Sequence, residues 1–282
     1  DIAAVVATDD VAASRAARLV KVEYETYPPV LSVDAALAPD AMPLHPNVRE
    51  TNLLAHSGYQ VGTGTYDEAK AAEADVVEVV SEYATQTVQH YHLEPPQSFA
   101  YMEAGRIVVV SSTQIPHIVR RVVGQALGIP WAQVRIIKPY IGGGFGNKQD
   151  VLYEPLNAYL TQQLGGRPVW LEISREETMA CTRVRHAITG KVKGLARRDG
   201  TLVARKLEAY SDQGGYASHG HSICANTITM FKQLYHDHVV TEGDGYTVYT
   251  NHTTAGAMRG YGIPQSDFFA ESLMEDLARK LN

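Results

Sequence analysis

Ile141-Gly142-Gly143-Gly144-Phe145-Gly146-Asn147-Lys148-Gln149 constrains this chain more than any other stretch, because four of the five residues from 142 to 146 are glycine. An apolar run (Val134, Ile136, Ile137) precedes it and reads as a buried strand, and a periodic segment begins at Val151. Glycine admits positive φ and lets another group approach the bare backbone. A strand, a glycine loop and a helix in that order can therefore turn peptide N–H groups towards an anion or an oxo ligand. A tight connection that merely needs glycine would leave the same trace. Neither common phosphate fingerprint fits: Asn147 stands where a dinucleotide loop wants its last glycine, and no Gly-Lys-Ser/Thr follows. The loop predicts a ligand without naming it.

The 282 residues allow one large or two ordinary domains with a substantial core. With 45% apolar residues and a formal charge of −6, the chain is poorly suited to nucleic acid or an anionic membrane as its main partner. No apolar run is long enough to span a bilayer, and no signal peptide is visible. Cys181 and Cys224 can neither staple a secreted scaffold nor supply the four thiolates of an iron–sulfur cluster. Two reduced thiols in a cytoplasmic protein are expected. The chain opens at Asp1 inside what reads as a strand and closes inside a helical pattern, which predicts a piece of a longer polypeptide.

Ile2–Ala7 reads as a short strand, Asp9 or Asp10 as the cap of a helix bearing Val11, Ala12, Ala16 and Leu19, and Val20–Tyr24 as a second strand ended by Pro28-Pro29. The stretch from Leu31 to Gly64 is rich in Pro, Asn, Gly and Asp and reads as an extended linker. Strands are expected at Val76–Tyr83, Phe99–Met102, Ile107–Ser111, Val134–Ile137 and Val169–Ile173. Helices are expected at Ile115–Leu127, with Pro116 in its first turn and Gly128 at its end, and at Val151–Leu164, capped by Asp150. Ser174 with Glu177 forms a capping-box pattern. Asp199-Gly200 predicts a hairpin between His186–Ala196 and Leu202–Tyr210. Phe268, Phe269, Leu273, Met274, Leu277 and Leu281 follow helical spacing.

The pairs His90/His92, His219/His221 and His236/His238 each sit two apart, which on a strand would put both rings on one face, as zinc hydrolases use. Glu94 and Glu154 are candidate further ligands, although histidines satisfied in a core or at a surface leave the same pattern. Thr113-Gln114 ends a strand, where a carboxamide can donate to an oxygen ligand; a turn residue is the plainer alternative. Met258-Arg259-Gly260-Tyr261-Gly262 is a second glycine-bracketed loop. Arg259 could hold an anionic or oxo group there and Tyr261 could stack on a planar substrate.

Ser111-Ser112-Thr113-Gln114-Ile115-Pro116-His117, the glycine loop, Ser174-Arg175-Glu176-Glu177, Arg185-His186 and Ala257-Met258-Arg259-Gly260-Tyr261-Gly262 occur in an order that resembles the xanthine dehydrogenase/aldehyde oxidase family. The resemblance covers essentially the whole chain and is nearest to the molybdenum-binding subunits of bacterial xanthine dehydrogenases. It implies an α/β (α+β) chain: residues 1–35 as the tail of an α/β hammerhead domain, 36–65 as a linker, and 66–282 as the first, mixed-sheet molybdenum-cofactor-binding domain. It implies a molybdopterin cofactor with molybdenum, in its cytosine dinucleotide form. Iron–sulfur (2Fe-2S) clusters and FAD are expected on other subunits, with the remaining molybdenum-binding segment as a further partner.

Residue by residue, the resemblance gives Gln114 the role of hydrogen-bonding the apical oxo group on molybdenum. Gly143, Gly144, Phe145 and Gly146 form the loop whose backbone lies against the metal's ligands, and Arg259 supports them from the other side. Tyr261 takes the place of an aromatic that contacts substrate. Gln149 stands where purine-oxidising relatives often carry a substrate-binding glutamate, and the second purine anchor, an arginine in animal relatives, falls near Asn226 and is not matched. Gly260 replaces the copper-binding cysteine of carbon monoxide dehydrogenases, which disfavours that chemistry. The implied reaction hydroxylates an electron-poor carbon with oxygen from water, xanthine being the leading substrate, with another N-heterocycle or an aldehyde as alternatives. The general-base glutamate of a Gly-Glu-x-Pro loop lies outside these residues, so the isolated chain is expected to be inactive. Glu94-Pro95-Pro96 is read as structural. A histidine-paired metallohydrolase and a noncatalytic assembly module are the readings from other classes.

Overall fold

A computed structural model describes residues 2–282. The helices are α1 (Asp10–Ala17), α2 (Val33–Leu37), α3 (Tyr66–Ala72), α4 (Pro116–Leu127), α5 (Glu154–Gln163), α6 (Arg175–Cys181), α7 (Gly220–Phe231) and α8 (Ile263–Leu281). The strands are β1 (Leu53–Gly62), β2 (Val76–Thr85), β3 (Val88–Gln89), β4 (Gln97–Glu103), β5 (Arg106–Ser111) and β6 (Val134–Ile137). They continue with β7 (Val169–Glu172), β8 (Val184–Arg185), β9 (Ile188–Arg197), β10 (Leu202–Gly214) and β11 (Val240–Tyr249). The chain divides into two compact units and passes between them repeatedly. The first holds the residues up to Pro29, His92–Gly144 and Val151–Thr178; the second holds Val30–Tyr91, Phe145–Asp150 and Met179–Asn282.

The first unit is built on a four-stranded sheet in the order β6-β5-β4-β7. β5 and β6 run parallel, and the other pairs are antiparallel. Ile107 and Val109 of β5, Ala100 of β4 and Val134 of β6 form one apolar face, onto which Val119 and Val123 of α4 and Ala158 of α5 pack. The i, i+4 spacing of Val119 and Val123 puts them on one helix face. α4 begins with Pro116, where no N–H is needed, and ends at Gly128 in the left-handed region, as the sequence predicts. α5 is stitched to the sheet through buried polar groups. Asn157 Nδ2 donates to Ser98 O and Oγ, both at 2.9 Å, and Thr161 Oγ1 to Ala100 O.

The second unit is built on a five-stranded sheet in the order β1-β11-β10-β9-β2. Only β10 and β11 pair in parallel, and α7 makes the crossover between them. The Asp199-Gly200 hairpin joins β9 to β10 as expected. Phe269, Leu273 and Leu277 of α8 pack against β9 with Ile188 and Val192, while Ile228 and Phe231 of α7 join the same core. Each such side chain contributes roughly 1.5–3 kcal/mol when fully buried. Gly190 and Gly194 of β9 leave the space: a Cβ on either would meet the Phe269 ring or the Leu273 methyls at 3.0 Å. Arg205 is fully buried, its guanidinium 2.8 Å from Asp237 and also donating to Phe231 O and Tyr235 O.

Several expectations are corrected. Asp9 caps α1, accepting from Ala12 N at 2.8 Å, but the flanking segments Ile2–Ala7 and Val20–Tyr24 form no strand. A strand exists only by pairing, and these segments have no strand neighbour among the described residues. Leu53–Gly62, inside the stretch expected as a linker, is β1 and pairs with β11. Half of its residues are exposed and none is buried, and the half-buried positions that alternate with exposed ones (Ala55, Ser57, Tyr59) are not a run of large apolar side chains. α5 starts at Glu154 rather than Val151, and Asp150 is not its cap. Asp150 instead accepts from Arg183 Nε at 2.5 Å and Ser218 Oγ at 2.7 Å. The glycine loop therefore leads first into a short 3-10 turn, Asn147–Gln149.

Candidate functional site

In the first unit, Gln114 and the glycine loop both lie past the carboxyl ends of neighbouring parallel strands. β5 ends at Ser111, three residues before Gln114, and β6 ends at Ile137, before Gly142. Ligands of open α/β sheets bind outside the carboxyl ends of strands. Ile115 N donates to Thr113 Oγ1 at 3.1 Å, which shapes the bend that carries Gln114. Gly144 meets the Gln114 carboxamide so closely that a Cβ there would fall 2.5 Å from Oε1. Gly142 is fixed by Glu94: its N–H donates to Glu94 Oε2 at 2.8 Å, and its carbonyl accepts from Glu94 N at 3.2 Å. Arg175 holds the same segment by donating to His92 O and Leu93 O, both at 2.8 Å. Glu94 thus acts as a brace of the loop.

Phe145 belongs to the second unit, so the Gly144–Phe145 peptide bond is one of the points where the chain passes from one unit to the other. Phe145 itself adopts a φ of 51°, the left-handed region that side chains rarely enter, and is half-exposed. Its carbonyl accepts from Arg259 N at 2.9 Å. Gly146, at φ 107°, lies against the carbonyl of Ala257 so closely that no Cβ would fit. Arg259 is exposed and its guanidinium has no hydrogen bond or ion pair among the described residues, while its backbone is held on both sides. Arg185 Nη2 donates to Arg259 O at 2.7 Å, and Tyr261 N to Met258 O at 2.7 Å. Tyr261 and Gly262 continue the tight loop, with φ of 49° and 99°.

The substrate-side candidates Gln149, Tyr261 and Asn226 also meet in the second unit. His219, at the start of α7, lies between two of them: Nε2 is 3.3 Å from Gln149 O, and its ring centroid is 5.9 Å from that of Tyr261. Burial raises the Tyr261 hydroxyl above its usual pKa. Asn226 Nδ2 donates to Tyr261 O at 2.7 Å, so this amide braces the arginine loop. Asn147, fully buried, donates to Thr182 Oγ1 at 2.9 Å, and its Oδ1 is buried without a partner among the described residues.

The histidine pairs do not form a metal site. Among the described residues no group of three or more His, Cys, Asp or Glu side chains could hold a metal ion. Two-apart spacing shares a face only on a strand, whereas His219 and His221 lie at the start of a helix and His90 and His92 lie outside the strands. His90 is held by Ala257 O at 2.7 Å; a carbonyl only accepts, so Nε2 carries the proton. Burial lowers the pKa of His90. His92 Nδ1 faces Glu94 O at 2.7 Å. Glu154, the other proposed ligand, accepts from Ser111 Oγ at 2.8 Å and from the N–H groups of Leu152 and Tyr153. It ties the start of α5 to the end of β5. Neither Arg185, which holds the Arg259 carbonyl, nor His219, which lies between Gln149 and Tyr261, stands in a sequence pattern that reveals what it touches.

The model of the molybdopterin cofactor-binding domain family matches residues 44–282. The xanthine dehydrogenase molybdenum-binding subunit of Escherichia coli O157:H7 is 47% identical over 281 residues, 99% of this chain and 36% of that relative. The chain belongs to the molybdenum-binding domains of the xanthine dehydrogenase family. Another such relative, the nicotinate dehydrogenase large molybdopterin subunit of Eubacterium barkeri, is 34% identical, covering 93% of this chain and 60% of the relative. Among solved structures, the aldehyde oxidoreductase of Desulfovibrio gigas superposes with a TM-score of 0.91 at 31% identity. That likeness covers 98% of this molybdenum-binding domain and 30% of the solved chain. The chain spans about a third of the length of the xanthine dehydrogenase subunit it resembles.

Proposed function

We propose that Gln114, the backbone of Gly143–Gly146 and Arg259 hold the molybdenum end of a molybdopterin cofactor in a hydroxylase of xanthine or a similar N-heterocycle. The observation that carries this reading is the carboxamide of Gln114 lying on the bare backbone of Gly144, beyond two parallel strand ends. A glycine cradle of this kind fits a group that approaches the backbone closely, and the free guanidinium of Arg259 suits an oxygen-rich, anionic ligand. When bound, the cofactor supplies a hard metal centre at which water-derived oxygen becomes nucleophilic.

The residues of this chain act around that centre. Gln114 is a neutral donor that orients an oxygen ligand without adding charge. The N–H groups of the loop do the same, with the loop held at Gly142 by Glu94 and at Phe145 by Arg259 N. Arg259, its backbone pinned by Phe145 and Arg185, offers a positive charge on a side chain free to reach an anionic ligand. Tyr261 offers a face for a planar substrate, and Gln149 a neutral amide where a carboxylate would serve a purine. Asn226 gives one amide N–H to the Tyr261 carbonyl and keeps a second N–H and Oδ1, so substrate selection at this position rests on shape and neutral hydrogen bonds. An aldehyde or nicotinate-like substrate is the second reading, favoured by the neutral character of Gln149 and Asn226.

The cytosine dinucleotide form of the cofactor, iron–sulfur and FAD subunits as electron acceptors, a cytoplasmic setting and a hammerhead tail at residues 1–35 complete the proposal. The isolated chain lacks a general base of the required kind and is expected to be inactive. The test is the complete enzyme carrying Gln114→Ala or Arg259→Ala, assayed on xanthine, nicotinate and an aldehyde with molybdenum and pterin content measured in parallel. Loss of turnover by tenfold or more is expected for each. Wild-type turnover and wild-type molybdenum content in both variants would overturn the assignment.

A further inference from the structure

The first unit carries a second feature that the molybdenum reading does not use. A cleft of about 510 Å³ is lined by Arg106, His117, Arg120, Arg135 and Lys138, over a floor that includes Val134 and Ile136. All five of these side chains belong to exposed residues. Arg106, His117 and Lys138 make no hydrogen bond or ion pair among the described residues. Arg120 spends only Nε, on Trp131 O at 2.9 Å. Arg135 has the one acidic neighbour, Glu103 at 3.2 Å, and both members of that pair are more than half exposed, where such pairs contribute little. In a chain of net charge −6, this concentration of positive charge is local, and of its members only Arg135 has an acidic partner. A cleft lined by one sign of charge attracts the opposite one.

The shape narrows what that ligand is. The cleft runs along β6, the outer strand of its sheet, which has a strand neighbour only on the β5 side among the described residues. Arg106 adjoins the start of the β5–β6 pairing at Ile107 and Val134, and Lys138 follows its end at Ile137. The cations therefore span the length of the strand, about 13 Å at roughly 3.3 Å per residue. That is too long for one phosphate or diphosphate group and matches four or five residues of extended polypeptide. A lone lysine on an edge strand would serve to discourage pairing; a concave row of cations beside an open edge instead selects the sign of what pairs.

We propose that the groove beside β6 docks an extended, acidic segment of a protein partner, which adds to the sheet as a further strand while its carboxylates meet Arg106, Arg120, Arg135 and Lys138. Main-chain pairing gives the affinity and the cations give the choice of partner. Nucleic acid is disfavoured because its backbone offers no amide N–H groups to pair with the strand edge.

The probe is a fluorescent peptide of alternating Glu and Val, titrated against the complete enzyme at low ionic strength and at about 0.15 M salt. Binding weakened by salt is expected, with hydrogen-exchange protection arising at the amides of Val134–Ile137. The pair Arg106→Glu and Lys138→Glu should weaken binding by about tenfold or more, and Arg106→Gln with Lys138→Gln by less. Circular dichroism melting checks that the exposed substitutions leave the fold intact. The same peptide methylated at alternate backbone nitrogens should bind at least tenfold more weakly. Equal binding of the methylated peptide, absence of binding at low salt, or tighter binding of inorganic pyrophosphate lost in the same variants would each overturn the proposal. The last result would make the groove a phosphate site.

Discussion

Gly144→Ala would place a Cβ 2.5 Å from Oε1, 2.8 Å from Cδ and 3.2 Å from Cγ of Gln114. Real Cβ atoms do not approach that closely, so the carboxamide must swing aside. The backbone itself does not object, because Gly144 is not among the glycines with positive φ. Two stability effects oppose one another: overpacking costs about 1–3 kcal/mol, and the stiffer unfolded chain returns about 0.4–1 kcal/mol. The far end of a glutamine is flexible, so a net loss below about 2 kcal/mol is expected, a Tm fall of at most roughly 8 °C. The functional loss should be larger in proportion. A hydrogen bond to a charged group contributes about 1.5–3 kcal/mol, so losing the carboxamide should lower turnover of the complete enzyme about ten- to hundredfold. Gln114→Ala should cost the same, and the double variant no more than either, since both remove one interaction. Gly146→Ala is the contrast: φ is 107° and the obstruction is the Ala257 carbonyl, backbone that cannot swing aside. That variant should lose stability first. Full turnover in Gly144→Ala, or losses that multiply in the double variant, would refute the reasoning.

Arg205→Leu should destabilise the second unit by about 3–5 kcal/mol, because Asp237 would be left buried and unpaired; a fall in the urea midpoint checks this, and an unchanged midpoint contradicts it. Burial lowers the pKa of His186 to about 4, against 6.5 for an ordinary histidine, so the unfolded chain binds the proton first as pH falls. The stability it confers is complete above pH 6.5 and declines towards pH 4 by about 3 kcal/mol; His186→Gln should flatten the stability profile over that window. Cys224 is buried with its thiol pushed up to about 11, whereas Cys181 is exposed. A thiol reagent at neutral pH should therefore label one cysteine in the native chain and two in denaturant, with the native label on Cys181.

The parts of the fold that the sequence announces are those with one clean period or one clear stop. α4, with Pro116 at its start and Gly128 at its end, and the hairpin at Asp199-Gly200 are of this kind. β11 is buried yet unannounced, because Gly243 and Gly245 replace apolar side chains where Tyr59, Cys224 and Ile228 press against the strand. β1 escapes notice for the opposite reason, since none of its residues is buried and its half-buried face mixes Ala55, Ser57 and Tyr59. The candidate site shows the same division. The glycine loop and Arg259 stand in patterns whose backbone requirements are written in glycine, and Gln114 stands between an apolar strand and the helix-opening Pro116. Arg185, His219 and Asn147 act through contacts with carbonyls and side chains far away in the sequence, and single residues of ordinary type carry no local trace of such partners. Asp150 and Glu154 mislead because an acid ahead of a periodic segment looks like a cap or a ligand; only their distant partners, Arg183 and Ser111, reveal otherwise.

The repeated passage of the chain between its two units has a consequence for its birth on the ribosome. β7, the last strand of the four-stranded sheet, is complete at Glu172, whereas the five-stranded sheet must wait for β11, which ends at Tyr249. Synthesis proceeds at about 5–20 residues per second, and units fold as they emerge. The half that holds Gln114 and Gly144 can thus settle several seconds before the half that holds Arg259. Meanwhile β1 and β2, made early, remain without their later neighbours and exposed to chaperones, to one another and to neighbouring nascent chains.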